Sequence, residues 1–521
     1  MRLHSLVIGL FLVGILLAGS APAAATASTT AQATPLSSCG TIDTPGTYHI
    51  TDDLSAEAGP CLRITADDVH VLGNDSVLRA TNATGGSGTP AIVASDATNV
   101  TVENVTLVDW WRGVAFHGVT DGRITNVTVE NASVAAVQLD DGTGDVTVVD
   151  TRVRDTTTAV SATDTTGHLL VANNTYQDLT AAVVAVQNAS DTVTVRNNTI
   201  TNATGIGVQV VNATAPVVAG NTVTNTDGAG IALTDTANAT VTENTVERVG
   251  GTGIRVTNST GSHVTENTVR ENALHGIAYD SVDVRDPPAL DITFSPWSAV
   301  RTGPQRGFLA FDNVVVHVPM DAPTIGSMPT PTIANNTIAN NSADGVFAVQ
   351  SADVLVTGNA LRYNDDGVHA NLSTDLQVVN NTLFNNTDDG VALGFTTNTT
   401  LAENTATRNG NDAYYIVGDD NTLTNNTARG NVDDGVDAQN ATGLSLTGNV
   451  LSENGDDGIY FRNADNSTIT ANELRNNVDD GIDLRESTGN TIRNNTICGN
   501  GNYDIQLRAS SPDNVIENNG C

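Results

Sequence analysis

The stretch Asn472–Cys498 reads N-E-L-R-N-N-V-D-D-G-I-D-L-R-E-S-T-G-N-T-I-R-N-N-T-I-C, and it decides the fold. Short alternating aliphatic strands, two to a unit, are separated by corners rich in Asn, Asp and Gly. Working outward, the same Asn recurs at 104, 126, 174, 198, 221, 244 and 267. It resumes at 336, 359, 381, 404, 426, 449, 472, 495 and 518. Successive spacings are 22 to 24 residues, with Asp150 standing between 126 and 174. The gap from 267 to 336 is three times 23, and Asn313 falls on phase inside it. Strands this short cannot bury an apolar face alone, whereas stacked copies make one continuous core. The sequence therefore predicts an all-β, right-handed parallel β-helix solenoid of about twenty coils. Equivalent corner residues would lie about 4.8 Å apart. Asparagine suits that stack because its amide donates to one neighbour and accepts from the other.

The later units share N-N-T-[IL] and D-D-G-[IV], as at Asn380–Leu383 with Asp388–Val391 and at Asn494–Ile497 after Asp479–Ile482. This pattern resembles the repeat of the NosD and carbohydrate-binding/sugar-hydrolase group, from about Ile64 onward. The resemblance implies the β-helix fold and ligands drawn from carbohydrates or copper. Leucine-rich horseshoes and calcium β-rolls are excluded, since neither fixed Leu positions nor glycine-rich nonapeptides occur. Cys39 and Cys61 are 22 residues apart, and Cys498 and Cys521 are 23 apart. One coil separates each pair, which predicts two disulfides clipping the ends of the solenoid.

The N-terminus carries Met1-Arg2, an apolar run from Leu6 to Ala18, and small-residue exits at Ala21–Ala23 and Ala25–Ala27. We expect a signal peptide over 1–27 and a single β-helix domain over 28–521, exported and without a membrane span. Sequons such as Asn82, Asn131, Asn188, Asn212, Asn371 and Asn440 make it a candidate glycoprotein. The chain has 58 acidic and 22 basic residues, for a net charge of −36, and its basic residues are all arginine. That composition resembles haloarchaeal secreted proteins, whose acidic surface is tolerated where salt shortens the screening length. It excludes a nucleic-acid partner, because phosphates would be repelled.

Function is expected where the coils are irregular or their outward columns carry chemistry. The stretch 279–332 holds eight of the fifteen prolines, with Trp297, and reads as a long irregular insertion walling a groove. Trp110 and Trp111, at the corner before Gly113, are candidate sugar-stacking platforms. His317, Met320 and Met328 are the soft-ligand set for copper handling. In the strand after each D-D-G corner, alternate residues point outward. The first outward column is His369, Ala392, Tyr415, Asp437, Tyr460, Asp483 and Gln506. The second is Asn371, Gly394, Val417, Gln439, Arg462, Arg485 and Arg508. Asp437, Tyr460 and Asp483 are the candidate proton carriers. His369, Asn371, Arg462 and Arg485 are the candidate binders of an acidic sugar. Asp437 and Asp483, two coils apart, stand about 9–10 Å from each other, too far for a retaining glycosidase pair.

A third column runs down the corners: Asp344, Asp366, Asp389, Asp412, Asp434, Asp457 and Asp480. Stacked carboxylates call for cations, with calcium the specific expectation and the sodium or potassium of a saline medium the general one. Three functions follow as expectations. The first is a secreted, monomeric protein that binds an acidic polysaccharide or cell-surface glycan, and if an enzyme acts as a lyase, hydrolase or epimerase. The second is a non-catalytic structural or adhesive rod. The third is NosD-like copper handling.

Overall fold

The computed structural model describes residues 33–81, 88–280, 330–508 and 510–521. Over these residues it is an all-β solenoid of about 18 turns without a helix. Every strand pairs in parallel with its equivalent one coil away, and three long sheets run the length of the molecule, one of them 20-stranded. A single coil shows the plan. Thr468–Thr470 lies in the first sheet, Glu473–Arg475 in the second and Ile482–Arg485 in the third. Thr491–Arg493 then returns beside Thr468–Thr470. Each coil thus has three strands, where the sequence reading counted two. The strand not counted is Thr491–Arg493, three residues long with a single inward side chain, Ile492.

Ile469, Leu474, Ile482 and Leu484 are fully buried, and their equivalents above and below form one continuous core. Burial of each such side chain contributes about 1.5–3 kcal/mol. The two residues of the N-N corner divide the work. The first takes the left-handed conformation that Asn tolerates, as Asn494 does at φ 55°. The second points inward and bonds to its copies. Asn472 donates from Nδ2 to Asn495 Oδ1 at 3.1 Å and to the Leu446 carbonyl at 2.9 Å, while its backbone N–H donates to Asn495 Oδ1 at 2.9 Å. A parallel ladder runs through the second Asn of each unit, from Asn272 to Asn500. The glycine of D-D-G is required by close approach, since a Cβ on Gly481 would sit 2.5 Å from the Asp504 carbonyl oxygen.

The ladder corrects the register in three places. Asn267 bonds directly to Asn336, with Oδ1 of Asn336 accepting at 2.9 and 3.0 Å. The coils at 267 and 336 are therefore neighbours; Asn313 lies outside the described residues. Tyr279 and Asp280 complete the strand Ile277–Asp280, and Thr332 opens the next one, Thr332–Ala334, so both ends of the 279–332 stretch are regular coil. Asn104 and Asn126 sit one place earlier, at the left-handed position, while Val105 and Val127 fill the inner corner. The inner ladder starts at Thr151, whose hydroxyl donates to Asn174 Oδ1 at 2.7 Å. It ends at Asn519 rather than Asn518.

Both cysteine pairs are bridged, Cys39 to Cys61 and Cys498 to Cys521, with Cα atoms 4.5 and 5.1 Å apart.

Candidate functional site

The D-D-G corners and their equivalents at Asp344 and Asp412 place seven aspartates in a buried file from Asp344 to Asp480. Each gives one carboxylate oxygen to the backbone of the next coil. Oδ1 of Asp389 accepts from the Asp412 N–H at 2.9 Å, Asp412 from Asp434 at 2.8 Å, and Asp434 from Asp457 at 2.7 Å. Asp457 accepts in the same way from Asp480, and Asp480 from Tyr503. That explains why aspartate recurs at the second acidic position. A carboxylate there accepts a hydrogen bond that an apolar residue would leave unmade, and Oδ2 remains over.

Among the described residues, charge compensation lies at the two ends of this file. At one end, His275 occupies the aspartate position of its own coil, its Nδ1 3.3 Å from Asp344 Oδ2. His369 reaches in from the neighbouring strand, its Nδ1 3.4 Å from Asp344 Oδ2 and 3.3 Å from Asp366 Oδ2. Burial opposes the charged imidazole, yet the two carboxylates push His369 up to about 10. Burial likewise opposes the Asp344 carboxylate, but the two imidazoles hold it well below the usual range. At the other end, Arg485 and Arg508 converge on the fully buried Asp483 at 2.9 and 2.8 Å.

Between these ends no ion pair reaches Asp389, Asp412, Asp434 or Asp457 among the described residues. Burial, reinforced by neighbouring carboxylates, pushes Asp434 up to about 10 and Asp389 and Asp412 well above the carboxylate range. Burial also pushes Asp457 up to about 8. Three sets bring carboxylate oxygens within 4.8 Å of one another: Asp412 with Asp433 and Asp434, Asp434 with Asp456 and Asp457, and Asp457 with Asp480 and Asp483. Such groups of carboxylate oxygens could hold a hard cation.

Strand pairing sets His369, Ala392, Tyr415, Asp437, Tyr460, Asp483 and Gln506 side by side on the outer face of the third sheet. Their roles diverge. Asp437 is buried, accepts from Gln439 Nε2 at 2.7 Å through Oδ2, and keeps Oδ1 without a hydrogen-bond partner. Burial pushes it up to about 7. Asp483 is fully buried and paired with both Arg485 and Arg508. Tyr460 lies half-buried between them, with the Arg485 guanidinium 4.9 Å from its ring centre. Arg462 is exposed and makes no hydrogen bond among the described residues.

Other expected site residues stand elsewhere. Trp110 is 1% exposed, its indole N–H donating to the Leu78 carbonyl at 2.8 Å, so it is core and offers no platform. Trp111 is half-buried under the Arg112 guanidinium, 3.8 Å from its ring centre. His369 faces the aspartate file rather than solvent, and Asn371 is half-buried one strand position beyond it. Trp297, His317, Met320 and Met328 lie outside the described residues. Sequence reasoning left out His275 as a member of the aspartate column. Its signal was present in Leu274-His275-Gly276-Ile277, which aligns with Ala343-Asp344-Gly345-Val346.

Residues 62–192, 165–285 and 413–521 match the family described as right handed beta helix region, more than half of the chain. The chain belongs to this family. Residues 321–455 of this beta helix also match the family described as periplasmic copper-binding protein (NosD). The described residues fit soft copper(I) chemistry poorly, since all four cysteines are in disulfides and the methionines lie outside them. They offer imidazole and carboxylate donors instead. No curated protein matches the chain. Among solved structures, the beta helix is similar to the A-module of an Azotobacter vinelandii mannuronan C-5 epimerase. The identity is 14%, over 75% of this chain and 90% of that one, with a TM-score of 0.32. It is similar to a periplasmic alginate epimerase at 11% identity, over 88% of this chain and 77% of that one, with a TM-score of 0.30. An exopolygalacturonase from Thermotoga maritima is similar at 10% identity, over 63% and 80% of the two chains, with a TM-score of 0.27.

Proposed function

We propose that this beta helix is an exported monomer that binds an acidic polysaccharide on the outer face of the third sheet, between Tyr415 and Arg508. The arginine shelf carries this reading. On a chain of net charge −36, Arg462, Arg485 and Arg508 gather on one face beside Tyr460. Buried Asp483 anchors Arg485 and Arg508, whose side chains stay 42% and 40% exposed, so they are preorganised with N–H donors to spare. A uronate carboxylate would take those donors in a bidentate pair, and Tyr460 would offer its face to the sugar ring. The 4.8 Å rise between strands lets successive sugar units be read by successive coils.

A chemical role is favoured by one further observation. Asp437, at about 7, can hold or release a proton near neutrality and has a free oxygen to do so. The proposal assigns it the general acid or base, with Tyr460 beside it.

The test is binding of a panel of uronic-acid and sulfated polysaccharides in molar salt, with unsaturated products and reducing ends followed alongside. Arg462→Ala is expected to weaken uronate binding about tenfold or more, the worth of a charge-assisted bond, and Asp437→Asn to abolish any turnover while binding persists. Retained affinity in an Arg462→Ala/Arg485→Ala double variant would overturn the site. No binding to any of the glycans would favour the structural rod.

A further inference from the structure

The histidine end of the aspartate file differs from the rest in having nitrogen donors. His369 Nδ1, Asp344 Oδ2 and Asp366 Oδ2 all lie within 4.8 Å of one another. The two edges that meet at His369 Nδ1, 3.4 and 3.3 Å, are longer than a charge-assisted hydrogen bond of about 2.7–2.9 Å. They match instead the spacing of neighbouring donors around a tetrahedral ion. Metal–ligand bonds of about 2.0–2.1 Å put adjacent donors about 3.3–3.4 Å apart.

The donors are also held in place. Asp344 Oδ1 accepts from the Asp366 N–H at 3.3 Å, and Asp366 Oδ1 from the Asp389 N–H at 2.8 Å, which turns both Oδ2 atoms toward His369. The Phe347 ring stands edge-on to His369 at 5.3 Å and stacks on His275 at 4.5 Å, fixing both imidazole planes. His275 in turn meets Asp344 Oδ2 at 3.3 Å. Liganding carboxylates held by such outer partners bind metal more tightly.

We infer that His369, Asp344 and Asp366 form a site for one borderline divalent transition ion of the zinc class, with His275 as a positioning residue on Asp344. Three protein donors leave a coordination position open to water or to an anionic ligand. The imidazole sets the site apart from the all-oxygen positions further along the file, which suit hard cations. The inference stands apart from the polysaccharide reading, because none of its residues belongs to the arginine shelf.

The test uses the full chain, stripped with chelator and held in molar sodium chloride to suppress weak binding by its surface acids. Zinc is titrated calorimetrically, and cobalt(II) is followed by its visible absorption. We expect one zinc equivalent that a hundredfold excess of calcium does not displace, and a zinc K-edge spectrum showing imidazole in the first shell. His369→Gln and Asp366→Asn should weaken zinc about tenfold or more. His275→Ala should weaken it by about 10–100-fold while His275→Gln restores it. His117→Ala, at the separate His117–Asp140–Asp141 cluster, should change nothing. An all-oxygen first shell in the parent protein, displacement by calcium, or parental affinity in His369→Gln would each overturn the site. The spectrum of the parent decides the matter even where a variant fails to fold.

Discussion

The first and last thirds of the solenoid solve the same corner in opposite ways. Near the N-terminus the inner corner holds Val105 and Val127, and Trp110 and Phe116 fill the core beneath wide strands. From Thr151 onward the corner is polar, and by Asp344 each coil carries two buried asparagines and a buried aspartate. The apolar corner needs no partner beyond contact. The polar corner is stable only while every member is present, since one missing rung leaves several buried groups without a bond. The C-terminal coils thus trade tolerance for an ordered file of charge, and the candidate chemistry sits there.

The largest test removes a rung. Asn426→Ala would strand the Asn404 N–H and amide and the Leu401 carbonyl. We expect a loss of about 3 kcal/mol or more in those coils, against about 2 kcal/mol for Val127→Ala. Hydrogen exchange read coil by coil checks this, because a solenoid unfolds by segments. Equal losses would erase the contrast.

Acidity comes next. The mid-file aspartates have folded values raised to about 8 for Asp457 and about 10 for Asp434. An acid raised on folding favours the fold while protonated, so its contribution is complete below about 4, the unfolded value. It is lost progressively as pH rises toward the folded values. In low salt, protection of the C-terminal coils should fall between pH 5 and 8, with the N-terminal coils unchanged. Asp434→Asn keeps the bond to Asp457 and should flatten that slope.

The smallest effect expected is calcium-specific. Millimolar calcium should raise the melting temperature of the desalted protein by a few degrees beyond sodium at equal ionic strength, and less in Asp434→Asn. An identical gain from both salts would assign the file to monovalent ions.

The period of 22 to 24 was legible because a closed coil fixes its own length and repeats its corner chemistry. The outward columns were legible for the same reason, and pairing confirms them from His369 to Gln506. What sequence could not separate was the doublet of asparagines. Asparagine serves at both the left-handed and the inward position, so in Asn518-Asn519 the inward one is the second, and the lone Asn104 and Asn126 hold the left-handed place before Val105 and Val127. The burial of Trp110 was hidden because an aromatic beside a corner faces in or out according to the room beneath it. His275 was masked by the long excursion that follows its coil, which obscured its alignment with Asp344. The neutralisation of Asp483 depended on Arg508 from the next coil, a contact between strands rather than a motif.

One bond has a consequence for how such molecules change. Asn267 grips Asn336 as it would a residue one coil away, although 69 positions separate them. Lengthening a connection costs only about 0.6 kcal/mol per doubling. The spine is therefore indifferent to what is spliced into its bends. A lineage could acquire or shed a whole decorative module in one genetic step while the scaffold stays unaltered. The junction of Asp280 and Thr330 is correspondingly a ready port for grafting foreign sequence.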